Sequence, residues 1–297
     1  TQLDIDYQGS DYPFFDPDTL RQLIDEFTGP PKYKGTLMAD AVGEPEFVND
    51  GEGFLKVWCD LDDDMRPRSD RDYVIGVDVS QGTQASDTVF SVGDRLSGEK
   101  VAEWADNRTP TYRAAEICVA LANMFKADGG RGAYIIWEAT GPGRTFGRAI
   151  IEMRYSNVYF HTDDQRMSKK MSDKPGWFST QEGKKDLLAH YRHSLFNKHF
   201  INPSERSLIE ASEYVFLASG KIEHSGAVHS IDPSNRGSGH GDRVIADALC
   251  AKIITQTRIG MKEKPVEGPA VGSMAWRRSG RREALDEHEV WEGWREY

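Results

Sequence analysis

Three acidic residues stand where an ionised carboxylate is costly. Asp78 lies at the end of the apolar run YVIGVDV, Glu138 at the end of AYIIWEAT, and Asp242 near the start of the helix-patterned HGDRVIADALCAKIITQT. A charge at the end of a buried strand needs a partner or a metal. Taken singly, each is better explained as a strand-end or helix-cap residue; taken together and in this order, they read as one cluster. Asp247, one turn further along the same helix, competes with Asp242 for the third position. Three carboxylates in one cleft repel each other, and some stay protonated unless a dication neutralises them. The cluster therefore implies hard, oxygen-preferring ions such as magnesium. Two such ions about 4 Å apart can activate a water and stabilise the leaving oxygen in phosphodiester cleavage. Asp78 would be the bridging ligand, with Glu138 and Asp242 flanking it.

The elements that must position these acids follow from hydrophobic periodicity. From Tyr73, YVIGVDV reads as a strand buried on both faces, and TVFSVGDR and KVAEWADN follow at hairpin spacing, which predicts three antiparallel strands. Thr109 or Pro110 opens a helix through TYRAAEICVALANMFKAD, stopped by Gly129 and Gly130. AYIIWEAT, GRTFGRAIIEM and NVYFH then alternate as strand, helix and strand, the pattern of a parallel sheet. Gly141 and Gly143 after Glu138 allow close backbone approach. Two helical segments follow, GWFSTQEGKKDLLAHYRHSLFNKHF and SERSLIEASEYVF, then a small hairpin in GKIEHSGAVH and the last helix. The predicted fold is α/β, a mixed sheet of three antiparallel strands then parallel strands, flanked by helices. Residues 1–65 read as an arm or linker with one Asp-capped helix, DPDTLRQLIDEF, and with GFLKVWCDL as an edge strand. Residues 66–258 form the domain, and 259–297 a charged, Pro- and Gly-rich tail open to a partner.

The chain has 297 residues, enough for one core with extensions, and 38% of them are apolar. No stretch approaches the roughly 20 apolar residues that span a bilayer, so no membrane partner is expected. Cys59, Cys118 and Cys250 form no CxxC pair, so neither a zinc site nor a disulfide framework is indicated, and a reducing cytoplasm fits. No signal peptide opens the chain; its first residue, Thr1, suggests a processed or excised fragment. A net charge of −11 argues against coating nucleic acid through bulk electrostatics. A polyanion would instead need a local basic strip, for which Arg166, Lys169, Lys170, Lys174, Lys184 and Lys185 are candidates, though each taken singly is better read as a solvated surface residue.

The order of GVDVSQG, WEATGPG and HGDRVIADAL, with GFLKVW before them and GWFST between, resembles the nuclease domain of tailed-phage terminase large subunits from about residue 55 to 257. The resemblance implies an RNase H-like fold whose carboxylate triad, matched here by Asp78, Glu138 and Asp242, acts with magnesium or manganese. It implies cleavage of concatemeric double-stranded DNA with little sequence preference during genome packaging. Implied partners are the portal protein, the small terminase subunit and an upstream ATPase domain, in the host cytoplasm. Terminases often carry two adjacent acids at the third position, whereas this chain has Gly241-Asp242. No GxxxxGK[ST] phosphate loop occurs, so ATP hydrolysis is not expected of this chain.

Lesser features divide between chemistry and structure. His240 either orients a water or protonates a leaving oxygen, or is a structural loop histidine. Asp87 reads better as a turn acid, and Trp137 and Trp177 as core. Lys169, Lys170, Lys174 and Lys184 are the candidates for phosphate contact. The rival readings are another RNase H-like enzyme of resolvase or transposase type, an actin-like nucleotide binder suggested by GVDVSQGTQ, and a nonenzymatic portal-docking module resting on the tail.

Overall fold

A computed structural model describes residues 12–39, 44–162, 171–217, 219–225 and 241–260. Its contacts divide the chain into two units, Thr1–Thr257 and Arg258–Tyr297; of the second only the helical start, residues 258–260, is described.

Strands β5 (Tyr73–Asp78), β6 (Thr88–Asp94) and β7 (Lys100–Asp106) pair antiparallel, as their spacing predicts. Because a parallel neighbour requires a long crossover, the chain leaves β7 through helix α2 (Thr111–Met124) and returns as β8 (Tyr134–Trp137), parallel to β5. The other edge holds what the sequence did not reveal. Strands β2 (Tyr33–Ala39), β3 (Pro45–Asn49) and β4 (Leu55–Val57) complete a seven-stranded sheet in the order β3, β2, β4, β7, β6, β5, β8. The arm expected over residues 1–65 is therefore corrected: residues 33–57 are part of the sheet, and β4 is an interior strand between β2 and β7. Leu55 and Val57 on it are fully buried. Three residues are too few to display a period, so the strand read in GFLKVWCDL was placed at an edge, and β2 buries only alternate positions, which hid it among Pro, Gly and acid.

The helix predicted near the start is α1 (Pro17–Phe27), capped by Asp16 accepting the Thr19 N–H at 2.8 Å. Two further segments are shorter than expected. Of NVYFH, Val158 makes one parallel bridge to Ile135, while β9 (Phe160–Thr162) pairs with β10 (Met171–Pro175). The second helical segment is α5 (Glu205–Ser212), which gives way to strand β11 (Tyr214–Phe216) because the Tyr, Val and Phe pair with β12 (Ile222–His224). The short strand β1 (Tyr12–Pro13) adds to β11.

The sheet separates two cores. Tyr73, Ile75, Val77, Ile135 and Trp137 face α2 and α3 (Gly143–Glu152). Val74 and Ile136 face the opposite side, with α4 (Gln181–Phe196) and α6 (Asp242–Gly260). Helix α6 lies unusually close to β5: a Cβ on Gly76 would stand 2.1 Å from the Ala246 carbonyl oxygen and 2.6 Å from the Cys250 nitrogen. Only glycine permits that approach. A buried ion pair ties the same helix to β7, with Lys100 Nζ 2.7 Å from Asp247 Oδ1 and 2.6 Å from Glu103 Oε2. All three side chains are essentially inaccessible, and loss of one partner of such a pair costs about 3–5 kcal/mol.

Because the atoms facing Gly76 belong to helix backbone, Gly76→Ala is expected to displace α6 and lower stability by about 1–3 kcal/mol in urea denaturation. Gly29→Ala, where a Cβ would meet nothing within 4 Å, should stay within about 0.5 kcal/mol of wild type. Equal midpoints for the two variants would contradict this account of the packing.

Candidate functional site

The contact at Gly76 sets the site. Two residues along β5, about 6–7 Å, lead from Gly76 to Asp78. One turn back along α6, about 6 Å, leads from Ala246 to Asp242. On the other flank, β5 and β8 run in parallel register with Val77 opposite Trp137, so Asp78 and Glu138 are the next pair. The Glu138 N–H donates to the Val77 carbonyl at 3.2 Å. Strand alternation turns Asp78 and Glu138 to the face that Val74 and Ile136 share with α6. Gly143 lets the following turn fold under the strand end, since a Cβ there would lie 1.8 Å from the Glu138 carbonyl oxygen.

The three acids thus come from β5, the end of β8 and the start of α6, and they act on one another. Burial first, then the negative charges of Asp242 and Glu138, push the Asp78 carboxyl well above the usual carboxylate range. The Lys184 ammonium and the Val79 N–H pull it down. Tyr214, 2% exposed, stands against the same group: burial raises its phenol well above the ordinary value, and Asp78 and Asp242 add to that. Its hydroxyl donates to the Gly241 carbonyl at 3.1 Å, fixing the residue before Asp242.

Asp242 and Glu138 also hold nearby donors. Asp242 Oδ2 accepts the Asp87 N–H at 2.7 Å, and Glu138 Oε1 accepts the Thr140 hydroxyl at 2.9 Å. Among the described residues, no group of three or more His, Cys, Asp and Glu side chains stands placed to hold a metal ion. The donor chemistry, oxygen only and anionic, nevertheless suits a hard divalent cation rather than zinc in a thiolate or imidazole cage. The charges of Glu138 and Asp242 act on Asp78, yet among the described residues the three carboxylates do not form a closed coordination shell.

Asp247 lies apart from this cleft. It is fully buried and engaged by Lys100, by the Asn202 amide at 2.7 Å and by the Ser207 hydroxyl, a constellation that fastens α6 rather than opening to solvent. Of the basic candidates, Lys184 on α4 acts through its charge on Asp78, and with Lys185 and Lys221 it lines a groove of about 470 Å³ beside Tyr214 and His224. Lys174, on β10, is exposed, with its ammonium 6.0 Å from the centre of the Phe178 ring. Arg166, Lys169, Lys170 and His240 lie outside the described residues. Trp137 and Trp177 are 1% and 6% exposed, core as expected.

Two neighbours of the acids went unnoticed in the sequence. Tyr214 appeared there as the tail of a helix. Arg243, directly after Asp242, pairs with Asp87 at 2.9 Å, Glu210 at 2.6 Å and Glu103 at 3.3 Å. Glu103 is in turn brought down to about 2, burial raising it but Lys100 and Arg243 more than offsetting that. The Asp242-Arg243 dipeptide, opposite charges of which the first is a candidate ligand, was the available signal.

No protein-family model matches this chain, and no curated protein matches it in sequence. Among the described residues no helix is long and apolar enough to cross a membrane. Solved structures do match in fold. The large terminase nuclease from thermophilic phage G20c with bound magnesium superposes with a TM-score of 0.52 at 16% identity, covering 82% of this chain and 98% of that one. The same nuclease with bound cobalt gives 0.51 at 17% identity over the same shares. The architecture of this chain is therefore like that of the large terminase nuclease, a mixed sheet with flanking helices.

Proposed function

We propose that this chain is a metal-dependent endonuclease that hydrolyses double-stranded DNA, and that its physiological substrate is concatemeric phage DNA during packaging. The arrangement that carries the reading is Asp78, Glu138 and Asp242 brought from separate elements to one face of the sheet, where the charges of the latter two act on Asp78. A protein keeps such an arrangement at a cost in stability unless a cation or substrate makes use of it. The fold is that of a nuclease solved with magnesium and with cobalt, which supports the same reading.

Two magnesium or manganese ions held by Asp78, Glu138 and Asp242 would supply Lewis acidity, lowering the pKa of an attacking water and stabilising the leaving oxygen. The side chains themselves do the rest. Asp78, facing both partners, holds the centre; Glu138, anchored by Thr140, bounds it on the sheet side, and Asp242 on the helix side. Lys184, whose charge already reaches Asp78, offers a cation to a backbone phosphate, and the groove with Lys185 and Lys221 continues that track. Such contacts bind the phosphate backbone without reading bases, as little sequence preference requires. Lys169, Lys170, Lys174 and His240 are retained as candidates for further contact or proton transfer. The portal protein, small terminase subunit and an upstream ATPase are the partners this role would need, in the host cytoplasm, with residues 259–297 available to them.

Incubation of supercoiled plasmid and linear duplex with the protein should give cleavage with magnesium or manganese and none with chelator. Asp78→Ala and Glu138→Ala should reduce it to background while circular dichroism stays unchanged. Cleavage confined to branched or specific DNA would favour a resolvase or transposase, and no cleavage at all a docking module. Binding should weaken steeply with salt, and Lys184→Ala should reduce the slope of log affinity against log salt by about 1.

The Asp78 environment also fixes the sign of a stability effect. A carboxyl raised in the folded state holds its proton there more tightly than in the unfolded chain. Its contribution is complete below the unfolded value, about 3.9, and is lost as pH rises through the folded value. In chelator, wild type should therefore lose stability from acid toward neutral pH. Asp78→Asn, which never ionises, should melt higher than wild type at pH 8, each kcal/mol appearing as about 2–4 °C. Added manganese should raise the wild-type melting temperature and leave that of the variant nearly unmoved. A variant melting below wild type in chelator would refute the repulsion.

A further inference from the structure

The loop between β5 and β6 delivers one residue to the first turn of α6 and attaches it twice. The Asp87 backbone N–H donates to Asp242 Oδ2 at 2.7 Å, while Asp87 Oδ2 accepts from Arg243 Nη1 at 2.9 Å. One loop residue thus grips two consecutive helix residues. Its two attachments differ in kind, since only the second depends on the Asp87 side chain.

The far end of the grip is rigid. Arg243, its side chain 13% exposed, also donates from Nη1 to Glu210 Oε1 at 2.6 Å, from Nε to Glu103 Oε1 at 3.3 Å and from its backbone N–H to Glu210 Oε2 at 3.2 Å. Glu103 continues to Lys100, and Lys100 to Asp247, one turn further along α6. The loop is tied at its other side too: the Ser80 hydroxyl lies 3.0 Å from that of Thr88, and the Gln84 N–H donates to the Asn107 carbonyl at 2.9 Å. A carboxylate held at one oxygen by a donor this well fixed loses much of its rotational freedom, and precise placement is what a metal ligand requires.

We infer that Asp87 and Arg243 form a positioning clamp that sets the orientation of the Asp242 carboxylate for cation binding, neither residue itself touching the cation or the DNA. The inference rests on the nuclease reading insofar as Asp242 is taken as a metal ligand. It assigns to the Asp87 carboxylate a structural partner, Arg243, in place of a fourth ligand position.

Manganese binding, followed by the electron paramagnetic resonance signal of the unbound ion, tests the clamp without reference to activity. Asp87→Ala retains the backbone donor but releases the tether, and it should weaken manganese binding about tenfold. Asp87→Asn, whose amide oxygen can still accept from Arg243, should bind within about threefold of wild type. Arg243→Gln should match Asp87→Ala in affinity, and the double variant should be no weaker than either single one, because both cut the same link. Arg243→Gln also strips a partner from buried Glu103 and Glu210 and is expected to lower the melting temperature. The half-exposed Asp87 separates that loss from the loss of placement, since its variants should melt near wild type. Wild-type affinity in Asp87→Ala would overturn the clamp alone, provided Asp78→Ala abolishes binding. Equal impairment of Asp87→Asn and Asp87→Ala would overturn it in favour of a ligand role for the carboxylate. If wild type and Asp78→Ala bind manganese alike, the nuclease reading falls and the clamp falls with it.

Discussion

The contact of α6 with β5 at Gly76 governs the rest of the molecule. Helix and strand backbones meet there without an intervening side chain, so the helix start has no latitude in depth or register. From that point, strand rise and helix rise bring Asp78 and Asp242 together, and the parallel register of β8 adds Glu138. The buried Lys100–Asp247 pair fixes the same helix against β7, which makes the approach a property of two strands rather than one. The charges that stabilise the scaffold are neutralised in pairs, while those of the cleft are gathered with one sign.

That contrast separates the two aspartates of α6 more clearly than their spacing does. Asp247 lies where burial is complete and cations and amides meet every oxygen, the condition for a structural carboxylate. Asp242 lies a turn earlier, half-buried, with a backbone N–H and neighbouring acids around it. Five residues separate them, which turns the second about 140° from the first around the helix axis, and the partners of each lie far away in the chain.

The central elements were legible because their patterns are strong. β5 and β8 are almost wholly apolar up to a terminal acid, and α2 and α6 repeat their apolar residues at helical spacing. The candidate acids stood out for the same reason, as interruptions of a pattern. β2 and β3 were not legible, nor was the interior place of β4, since these strands are short, partly solvated and separated by polar loops, and their pairing is decided by tertiary contact. Tyr214 was missed because nothing local marks it, and Arg243 although it directly follows a candidate ligand: each gains its meaning from a carboxylate delivered by a distant segment.

The sheet order has an implication for biogenesis. β5 and β8 both precede α6 along the chain, and the acidic cleft is incomplete until the helix carrying Asp242 docks on Gly76. During synthesis, which proceeds from the amino terminus, that helix leaves the ribosome after every strand of the main sheet. A nascent chain would therefore carry the parts of the pocket without the pocket itself, its assembly deferred to the closing step of folding.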